Sequence, residues 1–125
     1  MDNLKILVID DDPVTCKLLE TMLQMEGFQT ASTNQIKTET FMELLYKENP
    51  HMLILDFHVG SNETKPYVEL IRADETWHTL PILMMSGINH QKASLKAGAN
   101  HFILKPFDWP EIIALVNTMK NTLMK

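Results

Sequence analysis

A single cysteine, Cys16, excludes an internal disulfide framework and a multi-cysteine zinc site. It also favours a reducing compartment. Four glycines and six prolines among 125 residues exclude collagen-like and low-complexity character. No apolar run approaches the roughly 18 residues of a membrane helix, so no membrane partner is expected. The opening Met1-Asp2-Asn3-Leu4-Lys5 has no basic stretch followed by a long apolar one, so no signal peptide is expected. These absences together predict a cytoplasmic protein. Basic residues are also in deficit. The net charge is 11 − 16 = −5, which argues against nucleic acid as a direct partner. What is present is ordinary for one folded domain: 45% apolar and 22% charged residues exclude a mainly disordered chain.

Four short apolar runs stand out: Ile6–Ile9, Met52–Leu55, Ile82–Met85 and Phe102–Leu104. None alternates with polar residues, which fits strands buried on both faces of a parallel sheet. Phe28–Ala31 is a more polar fifth candidate, placed at a sheet edge. Amphipathic segments lie between the runs. The first helix carries Val14, Leu18, Leu19, Met22 and Leu23 at helical spacing, with Asp12 as its cap, Pro13 in its first turn and Gly27 at its end. The second is predicted over Ile36–Glu48, with Phe41, Leu44 and Leu45 inward, and stops at Asn49-Pro50. The third holds Val68, Leu70 and Ile71. The fourth is short, about Asn89 to Ala97, with Gly98 as its cap. The last begins at Asp108, with Ile112, Val116, Met119 and Leu123 on one stripe and a D-x-x-E capping pattern. This alternation predicts an α/β chain, (βα)5, with an open doubly wound parallel sheet and right-handed crossovers.

In such a sheet, functional groups collect beyond the carboxyl ends of the strands. Asp10 and Asp11 end the first run, Asp56 the third strand, Ser86 the fourth and Lys105 the fifth. Residues from four strands thus converge on one edge. Two like charges at about 4 Å in a dielectric near 20 repel by roughly 4 kcal/mol. An acidic cluster of this kind calls for a cation. A hard divalent ion with oxygen ligands fits, and Mg²⁺ is the usual candidate. The five histidines (His51, His58, His78, His90, His101) show no i, i+4 pair and read as scattered surface residues.

These pieces, in this order, resemble the receiver domain of bacterial two-component response regulators. They are Lys5–Pro13 with its three aspartates, Leu53–Asp56, Pro81–Gly87, Gly98-Ala99 and Lys105-Pro106-Phe107. The likeness spans residues 1–125 as one receiver domain. It implies a flavodoxin-like sheet of order 2-1-3-4-5 and a cis peptide before Pro106. It implies that Asp56 accepts a phosphoryl group. Asp10, Asp11, Asp56 and the backbone carbonyl of His58 would hold Mg²⁺. Ser86 would donate to the phosphoryl group, and Lys105 would pair with it. Phe102 would be a switch aromatic that turns inward with Ser86 and alters the surface of the fourth helix, fifth strand and fifth helix. The implied partners are a sensor histidine kinase or histidine phosphotransfer protein, and a downstream protein effector. The domain would be no enzyme beyond its own phosphoryl transfer and dephosphorylation.

The sequence departs from the family at three places. Gly60 stands where proline is usual, Thr64 stands where glycine is usual, and Ser86 to Lys105 spans fewer positions than usual. The first two lie in the loop after Asp56, the third in the output region. Other functions remain open on the residues alone. A degenerate receiver would bind partners without phosphorylation. A phosphatase would use Asp10-x-Asp12, although Pro13 stands where a flexible Gly-Thr is expected. A flavodoxin-like cofactor binder would have to tolerate three aspartates where it needs a phosphate cradle. His58, two residues past Asp56, is placed to affect the access of water to an aspartyl phosphate.

Overall fold

A computed structural model describes residues 3–123; the ends of the expected domain, residues 1, 2, 124 and 125, lie outside the described residues. The strands are β1 (Lys5–Ile9), β2 (Gln29–Thr33), β3 (Met52–Asp56), β4 (His58–Val59), β5 (Asn62–Glu63), β6 (Ile82–Ser86) and β7 (His101–Leu104). The helices are α1 (Pro13–Met25), α2 (Phe41–Glu48), α3 (Lys65–Ala73), α4 (Gln91–Ala97) and α5 (Trp109–Leu123). The main sheet is parallel, in the order β2-β1-β3-β6-β7. Counting only its own strands along the chain, that is 2-1-3-4-5, the flavodoxin-like arrangement expected. Among the described residues no helix is long and apolar enough to cross a membrane.

Period-two side-chain direction divides the core into two. Leu7, Ile9, Leu53, Leu55, Ile82 and Met84 face one side with Phe41, Leu45, Val68 and Ile71 from α2 and α3. Ile6, Val8, Met52, Ile54, Leu83 and Met85 face the other with Leu19, Leu23, Ile112 and Val116 from α1 and α5. Both faces are therefore covered, which is why the central strands read as unbroken apolar runs.

Several expectations are corrected. β2 runs from Gln29, one residue later than expected, and extends to Thr33. α2 begins at Phe41, not Ile36. The intervening residues include two threonines with poor helix propensity, and the Thr38 hydroxyl lies 3.1 Å from the Tyr67 hydroxyl. On α1 the buried positions are Cys16, Leu19 and Leu23, spaced i, i+3, i+7. Leu18 is exposed because it lies on a second stripe, with Val14 and Met25, that faces solvent. Leu70 is also exposed, one position off the buried stripe of α3. Strict strand–helix alternation is broken by the β4–β5 hairpin, which forms within the loop expected after Asp56. Gly60 supplies a positive φ of 63° at the first central position of its two-residue turn.

The short α4 has a firm C-terminal end. Gly98 caps it with φ 122°, where a Cβ would meet Arg72 Cγ at 2.7 Å. Arg72 donates to the carbonyls of Gly98 (2.8 Å), His78 (2.9 Å) and Leu80 (2.7 Å) and to Asn100 Oδ1 (2.9 Å). Burial pulls the Arg72 guanidinium below its ordinary pKa.

Candidate functional site

Strand register builds the site. Ile9 pairs with Leu55, Asp56 with Met85, and Ser86 with Leu104. Asp10 and Asp56 therefore end at one level of the same sheet edge, with Ser86 one position and Lys105 two positions beyond them. The edge lies where β1 sits between β2 and β3, the topological switch point of an open sheet.

Asp10 is fully buried. Its Oδ2 accepts from Lys105 Nζ at 2.7 Å and its Oδ1 from the Asp12 amide at 2.9 Å. Lys105 Nζ also lies 3.5 Å from Asp56 Oδ2. Asp11 is exposed, and its Oδ2 accepts from the Gly60 amide at 3.2 Å. One carboxylate oxygen each from Asp10, Asp11 and Asp56 lies within 4.8 Å of the others. Three carboxylates and one ammonium sum to −3 + 1 = −2 when ionised, which a divalent cation balances. An all-oxygen donor set fits Mg²⁺.

Burial pushes the Asp56 carboxyl up from its ordinary 3.8 to about 6, and the Asp10 charge adds to this against the pull of Lys105. For Lys105, burial acts downward. The hydrogen bond to Asp10 and the charge of Asp56 outweigh it, so its pKa rises.

Ser86 is buried at the end of β6, and its Oγ accepts from the Ile88 amide at 3.2 Å. Among the described residues no acceptor takes its proton. Phe102 on β7 is half-buried and packs against the core that α2 and α3 cover. His58 opens β4 opposite Glu63, with its side chain exposed. The Lys105–Pro106 peptide is cis. Asp12 caps α1, as expected: its side chain accepts from the Val14 amide (3.0 Å) and the Thr15 hydroxyl (2.9 Å). Its pKa falls through the Thr15 bond first. Cys16 is buried, and its thiol donates to the Asp10 carbonyl at 3.2 Å. Burial raises its pKa.

Sequence reasoning flagged Thr64 only as a departure. The structure gives it a task. Thr64 is fully buried, and its hydroxyl proton lies between the carbonyls of Asp56 (2.7 Å) and Phe57 (3.1 Å). Its amide donates to Phe57 O at 2.8 Å, while the Phe57 amide donates to Met85 O at 2.7 Å. The backbone at Asp56 is thereby pinned from two sides. Contrary to the expectation of scattered histidines, two of them meet. His58 and His90 approach at 5.7 Å between ring centroids, and Phe57 packs against both. No sequence spacing signals a contact between residues 32 positions apart.

A family model for the response regulator receiver domain matches residues 6–117. This chain belongs to that family. The receiver domain is 32% identical over 118 residues to a 14.6 kDa protein of Leptolyngbya boryana, a match covering 91% of this chain and 88% of that one. It is 27% identical over 119 residues to RpaA of Synechocystis sp., described as a DNA-binding dual master transcriptional regulator. That match covers 92% of this chain and 48% of RpaA, so the receiver domain spans about half the length of that relative. A response regulator structure from Chloroflexus aurantiacus superposes with a TM-score of 0.84 at 28% identity, over 94% of this chain and 97% of that one. The chemotaxis response regulator CheY4 of Vibrio cholerae superposes with a TM-score of 0.81 over 94% of this chain and 98% of that one. At 18% identity that likeness concerns the fold alone.

Proposed function

We propose that residues 1–125 form one receiver domain that accepts a phosphoryl group on Asp56 and thereby switches a protein-binding surface made by α4, β7 and α5. The donor is a sensor histidine kinase or a histidine phosphotransfer protein. An Asp56 carboxylate oxygen attacks phosphorus, the phosphorus–nitrogen bond of the donor breaks, and the electron pair returns to the imidazole. The observation that carries this reading is Lys105 Nζ between Asp10 and Asp56, at 2.7 and 3.5 Å, beside a third carboxylate.

Mg²⁺ held by Asp10, Asp11, Asp56 and the His58 carbonyl would offset charge on the phosphoryl oxygens during transfer. Lys105 exchanges its contact with Asp56 for one with a phosphoryl oxygen and keeps Asp10 as its anchor. Ser86, whose hydroxyl proton has no acceptor among the described residues, donates it to the phosphoryl group. Phe102 follows Ser86 inward and reshapes the β7 surface. Thr64 and Gly60 take over loop positioning where the family has glycine and proline. The domain's direct output is a protein contact, in keeping with its net charge of −5.

A phosphatase working from Asp10-x-Asp12 fits less well. Both Asp12 oxygens are spent on the α1 cap, so the residue needed as acid is engaged. The test is intact mass after incubation with Mg²⁺ and acetyl phosphate. Wild type gains one phosphoryl group and Asp56→Asn gains none. A phosphoryl group retained by Asp56→Asn overturns the assignment, and a folded wild type unphosphorylated even by kinase or phosphotransfer donors indicates a degenerate receiver.

A further inference from the structure

Phe57 follows the acceptor aspartate directly, and its buried ring stacks on His90 at a centroid distance of 4.0 Å and an interplanar angle of 9°. His90 stands at the N-cap of α4 and makes no capping bond with its side chain. Its Nε2 is buried without a hydrogen-bond partner. Such a nitrogen is costly, and the contact the ring makes is the aromatic one with Phe57.

The rest of α4 is thinly held. It has seven residues, and the one among them that is buried is Ser94, whose hydroxyl also lacks a partner. Leu95, its largest apolar side chain, is 42% exposed. Of the three orphaned buried side-chain atoms among the described residues, two belong to α4 and its cap. The C-terminal end is different, because Arg72 grips the Gly98 carbonyl. The helix is thus anchored at one end and meets the acceptor loop at the other through the Phe57–His90 stack. The Phe57 backbone is pinned by Met85 and Thr64, and its buried ring is carried by the strand end that also carries Asp56.

We propose that the Phe57–His90 stack transmits the state of the Asp56 pocket to the first turn of α4, which makes His90 a positioning residue for the α4–β7–α5 surface. This rests on the reading of Asp56 as the acceptor. It adds a route to α4 that does not pass through Ser86 or Phe102.

Amide hydrogen exchange over residues 88–97 of the full chain tests it. In the unmodified protein, His90→Ala and Phe57→Leu each speed exchange there by about fivefold, and the double variant is no faster than either. His90→Phe, which keeps the stack, restores the wild-type rate. After Mg²⁺ and acetyl phosphate, exchange in this segment changes in wild type and in His90→Phe. His90→Ala reaches the same phosphoryl occupancy by mass with no such change. A full response in His90→Ala at equal occupancy, or no rescue by His90→Phe, overturns the proposal. If wild type gains no phosphoryl group from acetyl phosphate or from a kinase or phosphotransfer donor, the acceptor reading fails by itself, and Asp56→Asn becomes the pocket perturbation. The coupling then stands if Asp56→Asn alters exchange over 88–97 in the wild-type background but not alongside His90→Ala. It falls if Asp56→Asn alters nothing there.

Discussion

Replacing Asp56 by asparagine should make the cation-free protein more stable at neutral pH, although it removes an ion pair. The carboxyl is buried beside Asp10, and its pKa rises from 3.8 to about 6. A raised carboxyl pKa means that the folded state holds the proton more tightly than the unfolded state. Below 3.8 both states are protonated and the site costs nothing. Between 3.8 and 6 the cost grows with pH, and above 6 it is complete. A shift of this size corresponds to at most about 3 kcal/mol. Solvent reaching the mouth of the pocket lowers the figure, since Lys105 is 26% and Asp56 12% exposed in their side chains. Lys105 keeps its shorter contact with Asp10 in the variant. Urea unfolding without divalent ions, followed by the fluorescence of Trp77 and Trp109, should therefore show Asp56→Asn more stable by about 1–3 kcal/mol at pH 7.5. The two proteins should agree within about 0.5 kcal/mol at pH 4 and diverge between, and the proposed binding of Mg²⁺ to folded wild type should narrow the gap. An equal or less stable variant at pH 7.5, or an advantage independent of pH, would refute the account of a strained acidic pocket.

Mg²⁺ at tenfold over its Kd should stabilise wild type by about 1.4 kcal/mol, or about 4–6 °C in Tm at fixed ionic strength, and Asp11→Ala should lose most of this gain in the same melt. Thr64→Val should cost about 1–3 kcal/mol in denaturant unfolding, because the Asp56 carbonyl loses its 2.7 Å donor, while Thr64→Ser stays close to wild type. Lys105→Met should destabilise the cation-free protein by about 2–4 kcal/mol by leaving the fully buried Asp10 without its ammonium, and Mg²⁺ should restore part of the loss in thermal melts. His58→Ala should change the rate at which a phosphorylated protein loses its phosphoryl group, measured as loss of mass with time; an unchanged rate removes His58 from any control of water access.

The sheet was legible because its central strands are buried on both faces and, past Lys5 at the start of β1, carry no polar residue until their carboxyl ends. Asp10, Asp56, Ser86 and Lys105 could be placed together for the same reason: each is the first polar group after an apolar run. Helix faces were less legible. α1 carries apolar residues on two stripes, and only packing against the sheet distinguishes buried Leu19 from exposed Leu18. The start of α2 is hard to read because Ile36 packs on the core from a loop, which imitates helical periodicity.

The sequence by itself determined the sheet, the sheet edge and the set of charged groups on it, because these depend on local runs and on a parallel topology that aligns strand ends. Tertiary structure decided which groups touch. It aimed Lys105 at Asp10 rather than Asp11, set the Gly60 amide on Asp11, drew the Thr64 hydroxyl under Asp56 and brought His90 onto Phe57. All but the Thr64 contact join residues far apart in the chain, and all depend on loop paths and rotamers. They are settled only when burial, hydrogen-bond satisfaction and charge balance are met together in three dimensions.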